Sequence, residues 1–236
     1  SVAIGGLGES GGVAFVGVPG WAREDAPANS GAVYVFTADS SGVPTEAGII
    51  TPASGPLFRA YGNTLDFDGT RLAVGAFYES MEEDEDGQPI GSHGAVYVYD
   101  IGPDGLQTDE QRVVCDIPLQ SQSFGFDISL DGDQMAVSAP KDSTVAYLAG
   151  AVYLFELQSN NEWLQTQLIA PPDLATNDSY GAAVSLVGDT LIVGCPDQNI
   201  VQEGDDEPTS RLGVVYVYAR VDVDGDGVFE FEEVQQ

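Results

Sequence analysis

The sequence predicts an all-β protein: a β-propeller of four four-stranded antiparallel blades, an arc of a larger ring. Three observations predict it. Short markers recur in a fixed order at intervals of about 60 residues. The apolar runs are short, Val-rich and set between turn residues, with 29 Gly in 236 residues. Within each unit the runs grade from half-polar to fully apolar and back to polar.

The first marker is Gly-Ala-Val-Tyr-Val-Phe or a close variant. It occupies Gly31–Phe36, Gly94–Tyr99, Gly150–Phe155 and Gly213–Tyr218, at spacings of 63, 56 and 63 residues. The second is a small-small-Pro element: Gly17-Val18-Pro19, Gly75-Ala76-Phe77, Ser138-Ala139-Pro140 and Gly194-Cys195-Pro196. The third is an aromatic-Gly pair at Tyr61-Gly62, Phe124-Gly125 and Tyr180-Gly181, each Gly lying 13 residues before its small-small-Pro element. These markers divide the chain into blades at about 1–57, 58–120, 121–176 and 177–236. The chain opens in Ser1-Val-Ala-Ile4, which reads as the inside of a strand, so both ends are expected to be cut from a longer protein whose remaining blades would be its partners.

Each unit reads as four strands in order. The first alternates, with Phe126, Ile128 and Leu130 on one side and Asp127 and Ser129 on the other, a pattern that buries one face and leaves the other wet or narrow. It is assigned to the central channel. Asp68-Gly69 and Asp131-Gly132 then read as two-residue hairpin turns with positive φ. The second strand is nearly all apolar: Leu72–Ala76, Met135–Ala139 and Leu191–Cys195. The third is the Gly-Ala-Val-Tyr strand. The fourth is more polar: Glu46–Thr51, Gln111–Ile117, Trp163–Ile169 and Val228–Gln235. Hairpin-linked strands that are apolar on both faces need cover on both faces. Stacking each meander between two copies of itself around an axis supplies that cover, with the polar fourth strand on the rim. The marker glycines then fall where blades crowd together, and Tyr61, Phe124 and Tyr180 read as packing residues between blades.

Composition limits the partners. Seven Lys and Arg against 38 Asp and Glu give a net charge of −31, and Lys141 is the only lysine. Such a field repels nucleic acid and anionic membrane surfaces and favours cations. It fits a salt-adapted shell and an acidic secreted bacterial protein equally well. With 43% apolar residues in ordered runs, it does not signal disorder. No run of about 18 apolar residues is present, so no membrane insertion is expected. Cys115 and Cys195 fall at non-equivalent places in the repeat and read as buried free thiols rather than a disulfide.

In order and spacing, Phe124-Gly125 with Ser138-Ala139-Pro140, Tyr180-Gly181 with Gly194-Cys195-Pro196, and Tyr61-Gly62 with Gly75-Ala76-Phe77 resemble the FG-GAP repeats of integrin-α-type β-propellers, in a short-turn bacterial form. The resemblance covers essentially the whole chain. It implies seven blades, an extracellular, secreted or cell-surface setting, a role in adhesion or protein binding, and often structural calcium. Relatives of that type carry calcium in Asp-rich loops between the first and second strands. Here those turns, such as Leu130-Asp131-Gly132-Asp133, are too short to wrap an ion.

One metal motif stands apart from the repeat. Asp222, Asp224 and Asp226 sit at positions one, three and five, with Gly227 at six, Val228 at seven and Glu230 at nine. Carboxylates at that spacing, a carbonyl at seven and an acid at nine suit an oxygen shell for a hard cation. The spacing matches a twelve-residue EF-hand loop with Glu233 at twelve, but the flanks Val214–Val221 and Val228–Val234 read as strands. We therefore expect a structural calcium-binding β-hairpin with Asp222, Asp224, Asp226, the Val228 carbonyl and Glu230 as ligands, of affinity on the order of 10⁻⁴ M. The competing reading is a solvated acidic hairpin.

The loops between the second and third strands vary most: Gly20–Ser30, Tyr78–His93, Lys141–Ala149 and Asp197–Leu212. Two carry acid runs, Glu82–Asp86 and Glu203–Glu207, which read as solvated loops or as a partner surface for a protein or glycan. Trp21 is either a contact residue there or tucked against its own blade. Catalysis finds little support: His93 is the only histidine, no acidic pair is singled out, and Gly5-Gly-Leu-Gly8 lacks a phosphate-binding context. Asn177-Asp-Ser179 is a weak glycosylation signal. A non-enzymatic binding and adhesion scaffold is expected, with an accessory propeller of a secreted hydrolase as the alternative.

Overall fold

A computed structural model of the protein describes residues 1–6, 11–21, 30–38, 42–53, 60–80, 91–117, 122–199, 212–222 and 229–235. It contains four four-stranded antiparallel sheets and, among the described residues, no helix. Blade one comprises β1 (Val2–Gly6), β2 (Gly12–Val18), β3 (Ala32–Ala38) and β4 (Pro44–Ile50). Blade two comprises β5 (Leu65–Phe67), β6 (Arg71–Ala76), β7 (Ala95–Asp100) and β8 (Gln111–Val113). Blade three runs through β9 (Ile128–Asp131), β10 (Gln134–Ala139), β11 (Ala151–Leu157) and β12 (Trp163–Ile169). Blade four runs through β13 (Ala183–Val187), β14 (Thr190–Cys195), β15 (Val214–Asp222) and β16 (Phe229–Gln235). Each is a simple meander, and first strands of successive blades lie against one another. This is the blade arrangement of a β-propeller.

Three apolar cores lie between the blades. One face of β6 and β7 (Leu72, Val74, Tyr97, Tyr99) meets Phe15, Val33 and Val35 of blade one. The opposite face of blade two, with Ala73, Val96 and Val98, meets Met135, Val137 and Tyr153 of blade three. Ala136, Val152 and Leu154 on blade three then meet Leu191, Val193 and Tyr216 of blade four. The doubly apolar second and third strands thus find cover on both sides, as their composition requires. Tyr61, Phe124 and Tyr180 are fully buried in these interfaces.

In blades two and three the polar side of the first strand is neither wet nor merely narrow: it holds the backbone of the next blade. Asp66 Oδ2 accepts the Leu130 amide at 2.7 Å, and Asp127 Oδ2 accepts the Val184 amide at 2.8 Å. Ser129 Oγ accepts the Leu186 amide at 2.9 Å, and Asp131 Oδ2 accepts that of Gly188 at 2.6 Å. Neighbouring first strands of a propeller splay apart, and these side chains satisfy amides that a continuous sheet would have paired. Burial raises the Asp66 carboxyl above the usual carboxylate range, against the two amides that lower it. Basic side chains also join blades: Arg71 reaches Gly132 O and Asp133 of blade three, and Arg220 of blade four pairs with Glu156 of blade three.

Two expectations shift in detail. The hairpin turns sit one residue later than Asp-Gly. Asp68 N donates to Arg71 O, and Asp131 pairs with Gln134. The central residues are therefore Gly69-Thr70 and Gly132-Asp133. Only the glycines take positive φ, +102° and +58°, the pattern of a turn with Gly first. Asp68 instead caps the turn, its Oδ1 accepting the Thr70 and Arg71 amides, each at 2.7 Å. The fourth strand of blade two ends at Val113 rather than Ile117, because Val113 already pairs with Val96 near the start of β7. Its other half is reduced to an Ile101–Gln107 bridge, beyond the place where blades one, three and four carry a register shift.

Candidate functional site

The loops that leave the second strand share a base. Glu79, Asp142 and Gln198 each lie four residues after the first residue of the small-small-Pro element, and all three are buried. Each takes the hydroxyl of the Tyr in the following Gly-Ala-Val-Tyr strand: Tyr97 Oη to Glu79 Oε2 at 2.8 Å, Tyr153 Oη to Asp142 Oδ2 at 2.7 Å, Tyr216 Oη to Gln198 Oε1 at 2.8 Å. Their carbonyls accept the amide of the Gly that opens the third strand, Gly94, Gly150 and Gly213. The variable loop is thereby pinned at both ends while its middle is free to differ. Sequence reading missed this latch because the three residues differ in type. The shared signal was a side-chain acceptor at one fixed offset, opposite an invariant-position Tyr.

Blade one departs from the pattern. Trp21 holds the latch position, its carbonyl accepting the Gly31 amide at 2.9 Å, but it has no acceptor to offer Tyr34, which is half-buried. Trp21 is itself half-buried. In blade two, Arg112 Nε donates to Glu79 Oε1 at 2.7 Å. Burial raises the Glu79 carboxyl, while Arg112 and Tyr97 oppose the rise. His93 lies at the buried foot of its loop, not out among the acids: its amide donates to Glu79 O and its carbonyl accepts the Phe124 amide.

Above these bases, four large apolar or aromatic side chains are exposed among the described loop residues: Tyr78 at 43%, Val145 at 38%, Tyr147 at 67% and Leu212 at 48%. Phe77 beneath Tyr78 packs on Phe126 of blade three, with ring centroids 5.4 Å apart, so Tyr78 stands on a rigid inter-blade aromatic contact. The acid runs Glu82–Asp86 and Glu203–Glu207 lie outside the described residues.

At the other end of blade four, the segment expected to bind calcium is flanked by strands β15 and β16, not helices. Asp222 ends β15, exposed, and pairs with Phe229. Glu230 pairs with Val221 and is exposed as well. Side chains alternate along a strand, so Asp222 and Glu230 leave opposite faces of the ribbon. Asp224, Asp226 and Val228 lie outside the described residues. Among the described residues no three carboxylate, His or Cys groups gather as metal ligands. Cys115 and Cys195 are free and buried. Gln122 Nε2 donates to Cys115 Sγ at 2.8 Å. Burial, then the nearby Asp178, Asp173 and Asp197, push the Cys195 thiol up to about 12, which keeps it protonated and inert.

A family model described as the FG-GAP repeat matches residues 108–155 and 163–218. The chain carries FG-GAP repeats at these two places, and its fold is the β-propeller that such repeats build. No curated protein matches the chain. Among solved structures, the periplasmic gluconolactonase PpgL of Pseudomonas aeruginosa is similar at 15% identity, over 94% of this chain and 68% of that one, with a TM-score of 0.43. The expectation of a chain without enzymatic activity is corrected here. A periplasmic gluconolactonase, an enzyme, is among the structures similar to this chain, so the fold gives no ground for excluding catalysis. At that identity and TM-score the likeness assigns this chain no reaction. No helix among the described residues is long and apolar enough to cross a membrane.

Proposed function

We propose that this propeller is a binding and adhesion scaffold working outside the cytoplasm, as an extracellular, secreted or cell-surface module. Its ligand surface is the face formed by the loops between second and third strands. The observation that supports this reading is the latch: a buried acceptor fixes the loop base in blades two, three and four, and exposed Tyr78, Val145 and Tyr147 project from two of those bases. Rigid aromatic side chains on anchored loops give contact area at low entropic cost, for a protein or a glycan. A glycan array and a panel of extracellular matrix proteins test it. Saturable retention that Tyr147→Ser weakens tenfold or more, with unchanged circular dichroism, is the expected result. Retention indifferent to both Tyr147→Ser and Tyr78→Ser refutes the assignment of the face.

The hairpin after β15 is proposed to hold a structural calcium through Asp222, Asp224, Asp226 and the Val228 carbonyl, with Glu230 as the fifth ligand. The strand flanks support a loop that pins the outer strand, since any ligand of the native state stabilises it. Calorimetry should give one site with Kd on the order of 10⁻⁴ M, lost in Asp224→Ala. Because Glu230 leaves the ribbon opposite Asp222, Glu230→Gln separates a direct ligand from a bystander. Absence of any heat or terbium signal that Asp224→Ala abolishes would sink the site.

A further inference from the structure

The linkers that join successive blades keep one spacing and differ in content. Ile50, Val113 and Ile169 hold the same place in the fourth strands, each paired with the first Val of the Gly-Ala-Val-Tyr strand. Two residues beyond them stand Pro52, Cys115 and Pro171. Seven residues further on come Arg59, Gln122 and Asp178, each two residues before its aromatic-Gly pair. Only the linker from blade two to blade three fills the two positions with a thiol and a carboxamide. Both side chains are buried, and Gln122 Nε2 stands 2.8 Å from Cys115 Sγ.

Tyr153 of β11 reaches the same sulfur. Its hydroxyl is hydrogen-bonded to Cys115 and donates to Asp142 Oδ2 at 2.7 Å. Asp142 is fully buried, and its Oδ1 is fixed by the Thr144 amide at 2.7 Å. Thiol, phenol and carboxylate thus stand in the order of a nucleophile, a proton relay and a base. Burial raises the Cys115 thiol above its ordinary value, against the Gln122 hydrogen bond, so at neutral pH the sulfur keeps its proton and needs such a base to react. Cys195 is placed differently: its Sγ donates to the backbone oxygen of Asp178 at 3.3 Å.

We propose that Cys115 and Gln122 close an internal thioester, a self-modification that leaves an acyl group reactive toward primary amines. Cys115 Sγ adds to Gln122 Cδ, which is one bond beyond the Nε2 it already touches, and the thiol proton passes through the Tyr153 hydroxyl to Asp142. The tetrahedral adduct then collapses. The Cδ–Nε2 bond breaks, Tyr153 returns the proton to the nitrogen, and ammonia leaves. An S–C bond replaces an N–C bond, nothing is oxidised or reduced, and no co-reactant is consumed. Holding the two groups in contact replaces the encounter that makes this reaction slow between a free thiol and a free amide. A primary amine that reaches the thioester reverses the exchange: it forms an amide at residue 122 and frees the Cys115 thiol.

The test is the intact mass of the purified 236-residue chain, taken denatured and without reductant. The expected mass lies one ammonia below that of the sequence, with a single titratable thiol, that of Cys195. Hydroxylamine added to the denatured protein should give a hydroxamate that peptide mapping places at Gln122, and should raise the thiol count to two. Cys115→Ala and the near-isosteric Gln122→Met should each show the full mass of their sequences, with circular dichroism verifying the fold. Cell-free synthesis sampled over time gives the rate of closure, which Tyr153→Phe should slow tenfold or more. The full sequence mass with two titratable thiols in the denatured parent overturns the proposal, and so does an ammonia loss that Cys115→Ala retains. An unchanged rate in Tyr153→Phe overturns the relay.

Discussion

Replacing Tyr99 by Phe isolates one hydroxyl in the interface between blades one and two. Tyr61 is fully buried, and its Oη donates to Tyr99 Oη at 2.8 Å. Tyr99 is hydrogen-bonded in turn to Glu110, whose carboxylate accepts the Ala53 amide of blade one. Burial raises both phenols far above their ordinary value, so both stay protonated donors at any pH the fold survives. Tyr99→Phe leaves the Tyr61 hydroxyl without an acceptor among apolar neighbours, at a cost of about 1–3 kcal/mol. At this chain length each kcal/mol corresponds to roughly 2–4 °C in Tm. The double change Tyr61→Phe with Tyr99→Phe removes donor and acceptor together, and blade three already shows that state. There Phe124 meets Phe155 edge-on, with centroids 5.9 Å apart, and blade four returns to a Tyr180–Tyr218 hydroxyl pair at 2.8 Å. The double variant should therefore lie within about 1 kcal/mol of the parent, because apolar partners of one shape replace a hydrogen-bonded pair at little cost. Thermal and urea unfolding of the parent, both singles and the double give the coupling energy. Strict additivity of the two single changes refutes the pairing argument.

Three further outcomes follow from the same interfaces. Gly75→Ala should cost about 2–3 kcal/mol or more, since its Cβ would stand 2.3 Å from Gly125 O, whereas Gly194→Ala should leave the urea midpoint nearly unchanged. Asp66 has a raised carboxyl, so the folded state binds its proton more tightly than the unfolded chain does. Stability should therefore rise as pH falls from neutrality through the folded value, and be lost as pH rises again across the window from the ordinary carboxylate range to that value. Asp66→Asn should flatten this dependence in unfolding curves taken at successive pH values, and an unaltered slope counts against the assignment. Asp142→Ala should leave the Tyr153 hydroxyl with Cys115 alone and free the Thr144 amide, lowering stability by about 1–3 kcal/mol. Hydrogen exchange should then quicken first at Gly150, whose amide is held by the Asp142 carbonyl.

The blade plan was legible because it is written several times over. Gly31, Gly94, Gly150 and Gly213 recur in phase, and the doubly apolar strands admit few solutions. The turn was misplaced by one residue because Asp68 could be read as a turn residue or as a cap, and only the amides it accepts decide. The polar side of the first strand was read as lining the channel. Alternation shows that Asp127 and Ser129 differ from Ile128, but not that the next blade's amides await them. The loop latch escaped notice because Glu79, Asp142 and Gln198 share an acceptor, not a residue type. Of the expected calcium ligands, Asp222 and Glu230 stand where the flanking strands put them.

The same kind of surface meets at every described junction, with the glycine that opens the third strand against the carbonyl of the aromatic residue that opens the next blade. A unit of 56 or 63 residues duplicated in frame would therefore present, on its two sides, the faces its neighbours already fit. Such a protein can gain or lose a whole repeat by recombination without inventing a new interface, while its loops diverge independently from one unit to the next.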